Sequence, residues 1–194
     1  MEIGATKAVQ DRLKTTKIEE SKGASLVFCW DTHLTKIKGR NVLFIVNASN
    51  RYTIAMTDIE PRNWNYYTMY ISRVIHGVMQ EMGYSEEQIE QYFKMSGDTT
   101  VTKTHGRKSV GGINRMVMDA QYFGKKLEKE AKYQWELSEY LNRDICQPEG
   151  FDAYGYPSEL FKLDMERLGI AAKRKPAKVI DFIQYIENNG GTND

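Results

Sequence analysis

Three side chains have the types and spacing needed for metal-independent cleavage of RNA. His33 lies in a strand-like segment, and Lys103 and His105 stand two residues apart in a second one. On a strand, Lys103 and His105 would project from the same face. Histidine can act as general base and general acid near neutral pH, and lysine can stabilise the charge that develops on the phosphoryl group. The pattern therefore predicts a ribonuclease site in which His33, Lys103 and His105 are catalytic.

The neighbouring polar residues are also typical of a surface that binds phosphate groups or an acidic partner. Buried strands do not need asparagine and arginine beside a turn, so we expect these side chains to converge at one edge of a sheet. The residues assigned to phosphate or partner binding are Asn47, Arg51, Tyr52, Thr102, Thr104, Arg107, Lys108 and Asn114. Under this alternative, Lys103 and His105 only contact phosphates or cap the following helix.

Charge is distributed unevenly along the chain, which supports such a surface. The net charge is +1, from 27 basic and 26 acidic residues among 194. The segments 32–57 and 99–118 contain no Asp or Glu, and each carries four Lys or Arg residues. If the two segments meet in space, they form a basic face that attracts phosphate or an acidic protein. Lysines that keep strand edges soluble are the alternative explanation.

The sequence contains no motif for a metal or a cofactor. Sequences typical of a P-loop, a dinucleotide-binding loop or a zinc protease are absent, and Cys29 and Cys146 are too few for a cysteine-rich zinc site. A metal-dependent nuclease needs clustered carboxylates. Asp31, Asp58 and Glu60 are the acidic residues near the basic strands, and their spacing is not distinctive. We therefore predict neither a metal nor a cofactor.

Strands joined by short connections are the first elements that must position these residues. Large residues at 26, 28 and 30 alternate with Val27 and Cys29, and the segment 34–37 alternates as well. The segment 42–46 is a continuous apolar run, followed by a turn and the strand 52–56. Short connections favour an antiparallel meander. A β-branched run over 99–102 predicts one more strand.

Helices are predicted on both sides of these strands. Thr6 is expected to cap a short helix, Pro61 opens a helical region with an apolar stripe from Tyr67 to Met82, and Ser85 begins a capping box. Gly111-Gly112 is expected to lead into a long helix. The fold class is thus α+β: an antiparallel β-sheet meander packed against several α-helices, with a helical C-terminal extension.

We place the domain boundary near residue 130. Residues 1–130 are predicted to form the α+β domain, and residues 131–194 a mostly helical extension packed on it, with helices over 158–168 and 179–186 and a frayed end. No apolar run approaches the ~18 residues of a membrane span, and the first residues do not form a signal peptide. We therefore expect a cytoplasmic protein without a membrane partner.

Four segments resemble a domain-of-unknown-function family of bacteria and archaea. They are Ile3-Gly4-Ala5-Thr6-Lys7, Phe28-Cys29-Trp30-Asp31-Thr32-His33-Leu34, Val46-Asn47-Ala48-Ser49-Asn50-Arg51-Tyr52 and Thr102-Lys103-Thr104-His105-Gly106-Arg107. The family pattern has a Trp and a polar pair, an Asn-Asp turn that ends in Arg-Tyr, and a Thr-Lys-Thr stretch before a helix with Asn. This chain departs from it at Ala48, where the family usually has Asp, so no mechanism can use that carboxylate.

The resemblance covers residues 1 to 125 and implies an α+β fold with a shared polar site. The family often occurs on mobile elements, which implies a role against host defence, such as inhibition of CRISPR–Cas. We therefore predict an inhibitor of the anti-CRISPR type that acts on RNA or a ribonucleoprotein, such as a Cas effector with its guide RNA, with RNA cleavage as one form of its action. A non-catalytic module that docks on an acidic protein or phosphate surface is the alternative, and a small-molecule enzyme ranks third.

Overall fold

The computed structural model describes residues 1–14 and 18–172, and its centre is a five-stranded sheet. The strands are β1 (Glu2–Ala5), β2 (Cys29–Ile37), β3 (Arg40–Asn47), β4 (Thr53–Thr57) and β5 (Thr100–Thr102). The helices are α1 (Lys7–Leu13), α2 (Pro61–Asn65), α3 (Tyr67–Glu81), α4 (Glu86–Ser96), α5 (Gly106–Gln121), α6 (Trp135–Asn142) and α7 (Pro157–Arg167). The predicted α+β class is confirmed.

The sheet is mostly antiparallel, in the order β4-β3-β2-β1-β5. The meander predicted from the alternating runs corresponds to β2, β3 and β4, which pair antiparallel. Strand β1 was not predicted, and it lies between β2 and β5 and pairs parallel with both. This insertion brings the first residues of the chain beside β2 and next to the segment that leads into α5.

The two faces of the sheet bury separate apolar clusters. Trp30 and Ile45 face α3, α4 and α7, whereas Phe44 and Val46 face α5 and α6. Successive residues of a strand point to opposite faces, so alternate positions of β2 serve different surroundings. Cys29, Asp31 and His33 therefore share the α5 side of the sheet, opposite to Trp30.

The helices largely follow the predicted pattern. The chain folds into α1 directly after Thr6, α3 carries the apolar stripe, and Ser85 and Gln88 form a complete capping box at the start of α4. The start of α5 differs, because this helix begins at Gly106 and includes Gly111-Gly112. The absence of a side chain at Gly112 gives the Arg51 side chain room to approach, since a Cβ there would lie 3.1 Å from Arg51 Nε.

Residues after 130 pack directly on the exposed edge of β4. Asn142 accepts a hydrogen bond from Thr53 N and donates one to Thr53 O, both at 2.8 Å, and Ala55 N donates to Ser138 Oγ at 3.0 Å. Side chains of α6 thus occupy the positions where a sixth strand would pair. The division at residue 130 stays a prediction, and the helix predicted over 179–186 lies outside the described residues.

The described helices include none that is long and apolar enough to cross a membrane.

Candidate functional site

The α5 side of β1 and β2 carries a buried cluster of two carboxylates around one imidazole, here called the Glu2–Asp31–His105 cluster. His105 Nδ1 lies 2.7 Å from Asp31 Oδ1, and His105 Nε2 lies 3.0 Å from Glu2 Oε2. The His105 side chain is only 3% exposed, and Asp31 is fully buried. With a carboxylate at each ring nitrogen, the imidazole bridges the two acids as a charged donor.

Local backbone structure explains why these groups meet. The parallel pairing of β1 with β2 sets Gly4 opposite Asp31, and β1 also pairs with β5, which ends just before His105. A Cβ at Gly4 would lie 1.8 Å from Asp31 Oδ1 and 3.0 Å from Thr104 Cα. Glycine at this position therefore lets the Asp31 carboxylate lie across β1 and reach His105.

Asp31 and Glu2 are each held by further donors. The backbone N–H of His105 donates to both Asp31 oxygens at 3.2 and 3.3 Å, and Ser109 Oγ donates to Asp31 Oδ2. Glu2 accepts from Ser21 Oγ at 2.6 Å and from Lys22 N at 2.8 Å. These donors satisfy the hydrogen-bonding capacity of both buried carboxylates.

The cluster shifts the protonation of His105 and Glu2. Burial alone would lower the pKa of His105, but the hydrogen bonds to Asp31 and Cys29 and the negative charge of Asp31 outweigh burial and raise this pKa to about 10. Burial opposes ionisation of Glu2, yet its hydrogen bonds to Ser21, to the Lys22 backbone and to His105 lower its pKa. This pKa keeps the His105 imidazole protonated at neutral pH.

Cys29 completes a set of side chains that could hold a metal ion. One ligand atom from each of Glu2, Cys29 and His105 lies within 4.8 Å of the others. The Cys29 thiol is buried, and its Sγ lies 3.5 Å from Ser25 O. The sequence prediction missed Glu2 and Cys29 as site residues. The two-residue spacing of Cys29 and Asp31 on a strand was a usable signal, but nothing marked Glu2.

The other two residues predicted as catalytic lie in different surroundings from His105. The Thr6 hydroxyl donates to Thr32 O at 3.0 Å, so it must accept from His33 Nδ1, which lies 3.2 Å away. His33 Nε2 is then the unprotonated nitrogen, and it has no hydrogen-bond partner among the described residues. Burial lowers the pKa of His33, so this ring is neutral at physiological pH. Lys103 is exposed and pairs with Glu20.

A second feature is a groove in which the two acid-free segments meet, here called the Arg51 groove. Arg51 comes from the first segment, Lys108 and Arg115 come from the second, and all three line the groove together with Gly111 and Gly112. Arg51 donates to Gly112 O at 3.0 Å, which fixes its side chain against α5. The groove has a volume of about 340 Å³, and its one acidic side chain among the described residues is that of Glu149. The charged side chains that line the groove thus carry a net positive charge, and Arg115 also pairs with Asp119 one turn further along α5.

Other basic residues of the first segment lie away from this groove. Residues Lys36, Lys38 and Arg40 flank the β2–β3 turn, at the opposite end of the hairpin from Asn47. Lys38 binds backbone carbonyls, including that of Lys125 at 2.7 Å, and Arg40 pairs with Asp58. The basic face therefore consists of separate patches.

The remaining residues predicted to bind phosphate divide into buried and accessible ones. Asn47 holds the β3–β4 turn, because its Oδ1 accepts from Ser49 N at 3.0 Å and its Nδ2 donates to Val27 O at 2.9 Å. Tyr52 is buried against Phe161. Thr102 is also buried and Thr104 is half-buried, whereas Arg107, Lys108 and Asn114 are exposed on α5.

Comparison with known proteins identifies a family for most of the chain. A family model described as "Domain of unknown function (DUF6933)" matches residues 2–160, which include the cluster, the Arg51 groove and all five strands. Neither the search of curated proteins nor that of solved structures gave a match. The match extends well past the segments that carry the resemblance in the sequence. This protein therefore belongs to the DUF6933 family of domains of unknown function.

Proposed function

We propose that the protein binds the phosphate backbone of single-stranded RNA, free or within a ribonucleoprotein, through the Arg51 groove and without cleaving it. The observation that carries this proposal is the convergence of Arg51, Lys108 and Arg115 on one groove. These cations come from segments far apart in the chain, and each segment lacks acidic residues. Convergent cations of this kind neutralise phosphates and release their counterions, which is the main source of sequence-independent affinity.

Two further features support phosphate as the ligand. Arg107 and Lys108 form no ion pair within the described part of the chain, so their charges are available at the start of α5. The Arg51 guanidinium is held in place by Gly112 O, so less side-chain entropy is lost when it meets a phosphate.

Binding is better supported than cleavage, because His105 has no ring nitrogen free to touch a substrate. Both nitrogens contact carboxylates, and the side chain is 3% exposed. His33 Nε2 has no partner within residues 1–14 and 18–172, but Lys103 is paired with Glu20 at the surface. A catalytic role for His33, Lys103 and His105 stays a prediction, and the assay below tests it as well.

Inhibition of host defence is the wider function we propose for this binding. Its support is the family resemblance to domains that occur on mobile elements, together with a groove suited to an RNA backbone. Occupation of guide RNA in a Cas effector would block the effector stoichiometrically, so no turnover is required.

The test is the salt dependence of binding to a labelled single-stranded RNA, measured by fluorescence anisotropy. Three phosphate contacts predict a slope of log affinity against log salt of about −2. Lys108→Ala should lower the magnitude of that slope by about 0.7, whereas Lys36→Ala, an exposed lysine outside the groove, should leave it unchanged.

Several outcomes would contradict the proposal. Affinity that is equal at low and high salt, or a slope that Lys36→Ala changes as much as Lys108→Ala, would rule out the groove as the phosphate site. Discrete RNA products that persist in EDTA and disappear in His33→Ala would instead establish the predicted ribonuclease. Binding to an acidic protein with no binding to RNA would favour the protein-docking alternative.

A further inference from the structure

We propose that Glu2, Cys29 and His105 form a binding site for one divalent transition-metal ion, with zinc as the best-suited metal. The three residues offer one oxygen, one sulfur and one nitrogen, a ligand set that zinc commonly takes. They come from β1, from β2 and from the segment between β5 and α5, so one ion would join three parts of the chain.

The distances require only small adjustments. Ligand atoms bound to one tetrahedral zinc ion lie about 3.3–3.6 Å apart, as follows from bonds of about 2.0–2.3 Å. His105 Nε2 and Glu2 Oε2 are 3.0 Å apart, and all three ligand atoms lie within 4.8 Å of one another. Rotations of the Cys29 and Glu2 side chains that shorten the longest of these separations by at most about 1.5 Å would close the site. Water or the second oxygen of Glu2 would fill the fourth position.

The surroundings of His105 have the arrangement found around metal-binding histidines. Such a histidine usually donates its second ring N–H to a carboxylate, which fixes the ring and makes the ligand nitrogen more basic. Asp31 does this here, since its Oδ1 lies 2.7 Å from His105 Nδ1, and Ser109 in turn binds Asp31. His105 Nε2 is thereby directed to the side where Glu2 and Cys29 lie.

Glu2 has equivalent support. Ser21 Oγ at 2.6 Å and Lys22 N at 2.8 Å donate to its two oxygens. A ligating carboxylate is normally held by such outer hydrogen bonds. Of the three carboxylates near the basic strands in the sequence, Asp31 lies in the cluster. Asp58 and Glu60 are exposed or half-buried and already pair with Arg40 and Lys132.

Charge and protons balance when the metal binds. The ion replaces the proton on His105 Nε2 and the thiol proton of Cys29, and both protons pass to water. The thiolate and the Glu2 carboxylate then neutralise the two positive charges of the ion. Cys29 is fully buried, and the side chains of Glu2 and His105 are 6% and 3% exposed, so the ion would stabilise the fold and would be poorly placed for catalysis.

The decisive probe is cobalt(II) added to the full chain after treatment with EDTA and dialysis. Wild-type protein should bind one ion and show a thiolate-to-cobalt charge-transfer band, together with intense visible bands typical of tetrahedral cobalt. Zinc should displace the cobalt at a ratio of one ion per chain, as measured by elemental analysis. Zinc should also raise the thermal midpoint, since a ligand that binds only the folded state stabilises it.

Variants assign the ligands. Cys29→Ser should abolish the charge-transfer band, whereas Cys146→Ser, the other buried cysteine, should preserve it. Asp31→Asn should weaken zinc binding about 10–100-fold, as expected for the loss of an outer hydrogen-bond partner. His105→Gln should weaken it further. Circular dichroism establishes that each variant is folded.

Cobalt or zinc bound at less than half an ion per wild-type chain would overturn the proposal, and this result requires no variant. A charge-transfer band that survives Cys29→Ser and disappears in Cys146→Ser would also overturn it. In either case, the Glu2–Asp31–His105 cluster would be a purely electrostatic link between β1, β2 and α5.

Discussion

Replacing Gly4 with alanine tests whether the close approach of Asp31 to β1 is what assembles the cluster. The new Cβ would lie 1.8 Å from Asp31 Oδ1, about half of an ordinary contact distance, and 3.0 Å from Thr104 Cα. Thr104 closely follows β5, whose residue Thr102 pairs with Gly4, so moving its backbone away from the new Cβ would strain the pairing of β1 with β5. The Asp31 carboxylate must therefore move away, and its 2.7 Å contact with His105 would be lost.

The expected cost has two parts. Overpacking of a buried site costs about 1–3 kcal/mol, and loss of a hydrogen bond to a charged group costs about 1.5–3 kcal/mol. Gly4→Ala should therefore lower the free energy of unfolding by about 2.5–6 kcal/mol. For a chain of this size, each kcal/mol shifts the thermal midpoint by about 2–4 °C, so we expect a decrease of at least 5 °C or so.

Urea unfolding of four variants measures the effect: wild type, Gly4→Ala, Asp31→Ala and the double variant. The methyl group and the carboxylate compete for one space, so the double variant should be more stable than additivity predicts by about 1.5–3 kcal/mol. Gly77→Ala is the matched control, because nothing lies within 4 Å of its added Cβ and alanine favours a helix. Two results would refute this explanation: a thermal midpoint for Gly4→Ala within about 2 °C of the wild-type value, or additive changes in the free energy of unfolding in the double variant.

Three further predictions concern other buried groups. Tyr92→Phe should cost about 1–3 kcal/mol in urea unfolding, because the Trp30 indole N–H, which donates to the Tyr92 hydroxyl at 2.9 Å, would lose its partner; a loss below 0.5 kcal/mol or so would contradict this. Asn142→Ala should lower the free energy of unfolding by about 2–5 kcal/mol in the same assay, since the backbone N–H and C=O of Thr53 both lose a partner. Hydrogen exchange of the Thr53 amide that stays as slow as in wild type would contradict this. The pKa of His105 is raised to about 10, so His105 binds its proton more tightly in the folded metal-free chain than in the unfolded chain. The resulting contribution to the free energy of unfolding is fully present below about pH 6.5 and is lost as pH rises through 10. Urea unfolding in EDTA should show this decline in wild type and not in His105→Gln.

The parts of the fold that the sequence predicts are those with strong local patterns. Alternation and short connections identified β2, β3 and β4, and the capping box at Ser85 located α4. Strand β1 escaped prediction because it has four residues, contains Gly4 and pairs only with distant parallel partners. Gly111-Gly112 suggested a helix start, but α5 begins five residues earlier, at Gly106, and Arg51 packs against Gly112 within the helix.

The candidate sites were predictable only in part for the same reason. The unequal distribution of charge pointed to Arg51 and Lys108, and both line one groove. The chemistry around His105 could not be predicted, because it depends on Glu2, which reaches the imidazole only when β1 inserts beside β2. Long-range parallel pairing leaves no periodic signal in the sequence that surrounds it.

The packing of α6 on the edge of β4 also affects how the chain folds during its synthesis. During synthesis, all five strands emerge before α6, and until α6 arrives the free edge of β4 offers unpaired N–H and C=O groups to any other strand. The side chains of Asn142 and Ser138 form the hydrogen bonds that a neighbouring strand would form with this edge. They emerge 89 and 83 residues after their partners Thr53 and Ala55. A chain that stops before residue 142 would therefore keep unpaired backbone groups along the edge of β4. Such truncated products should self-associate although their five strands are complete.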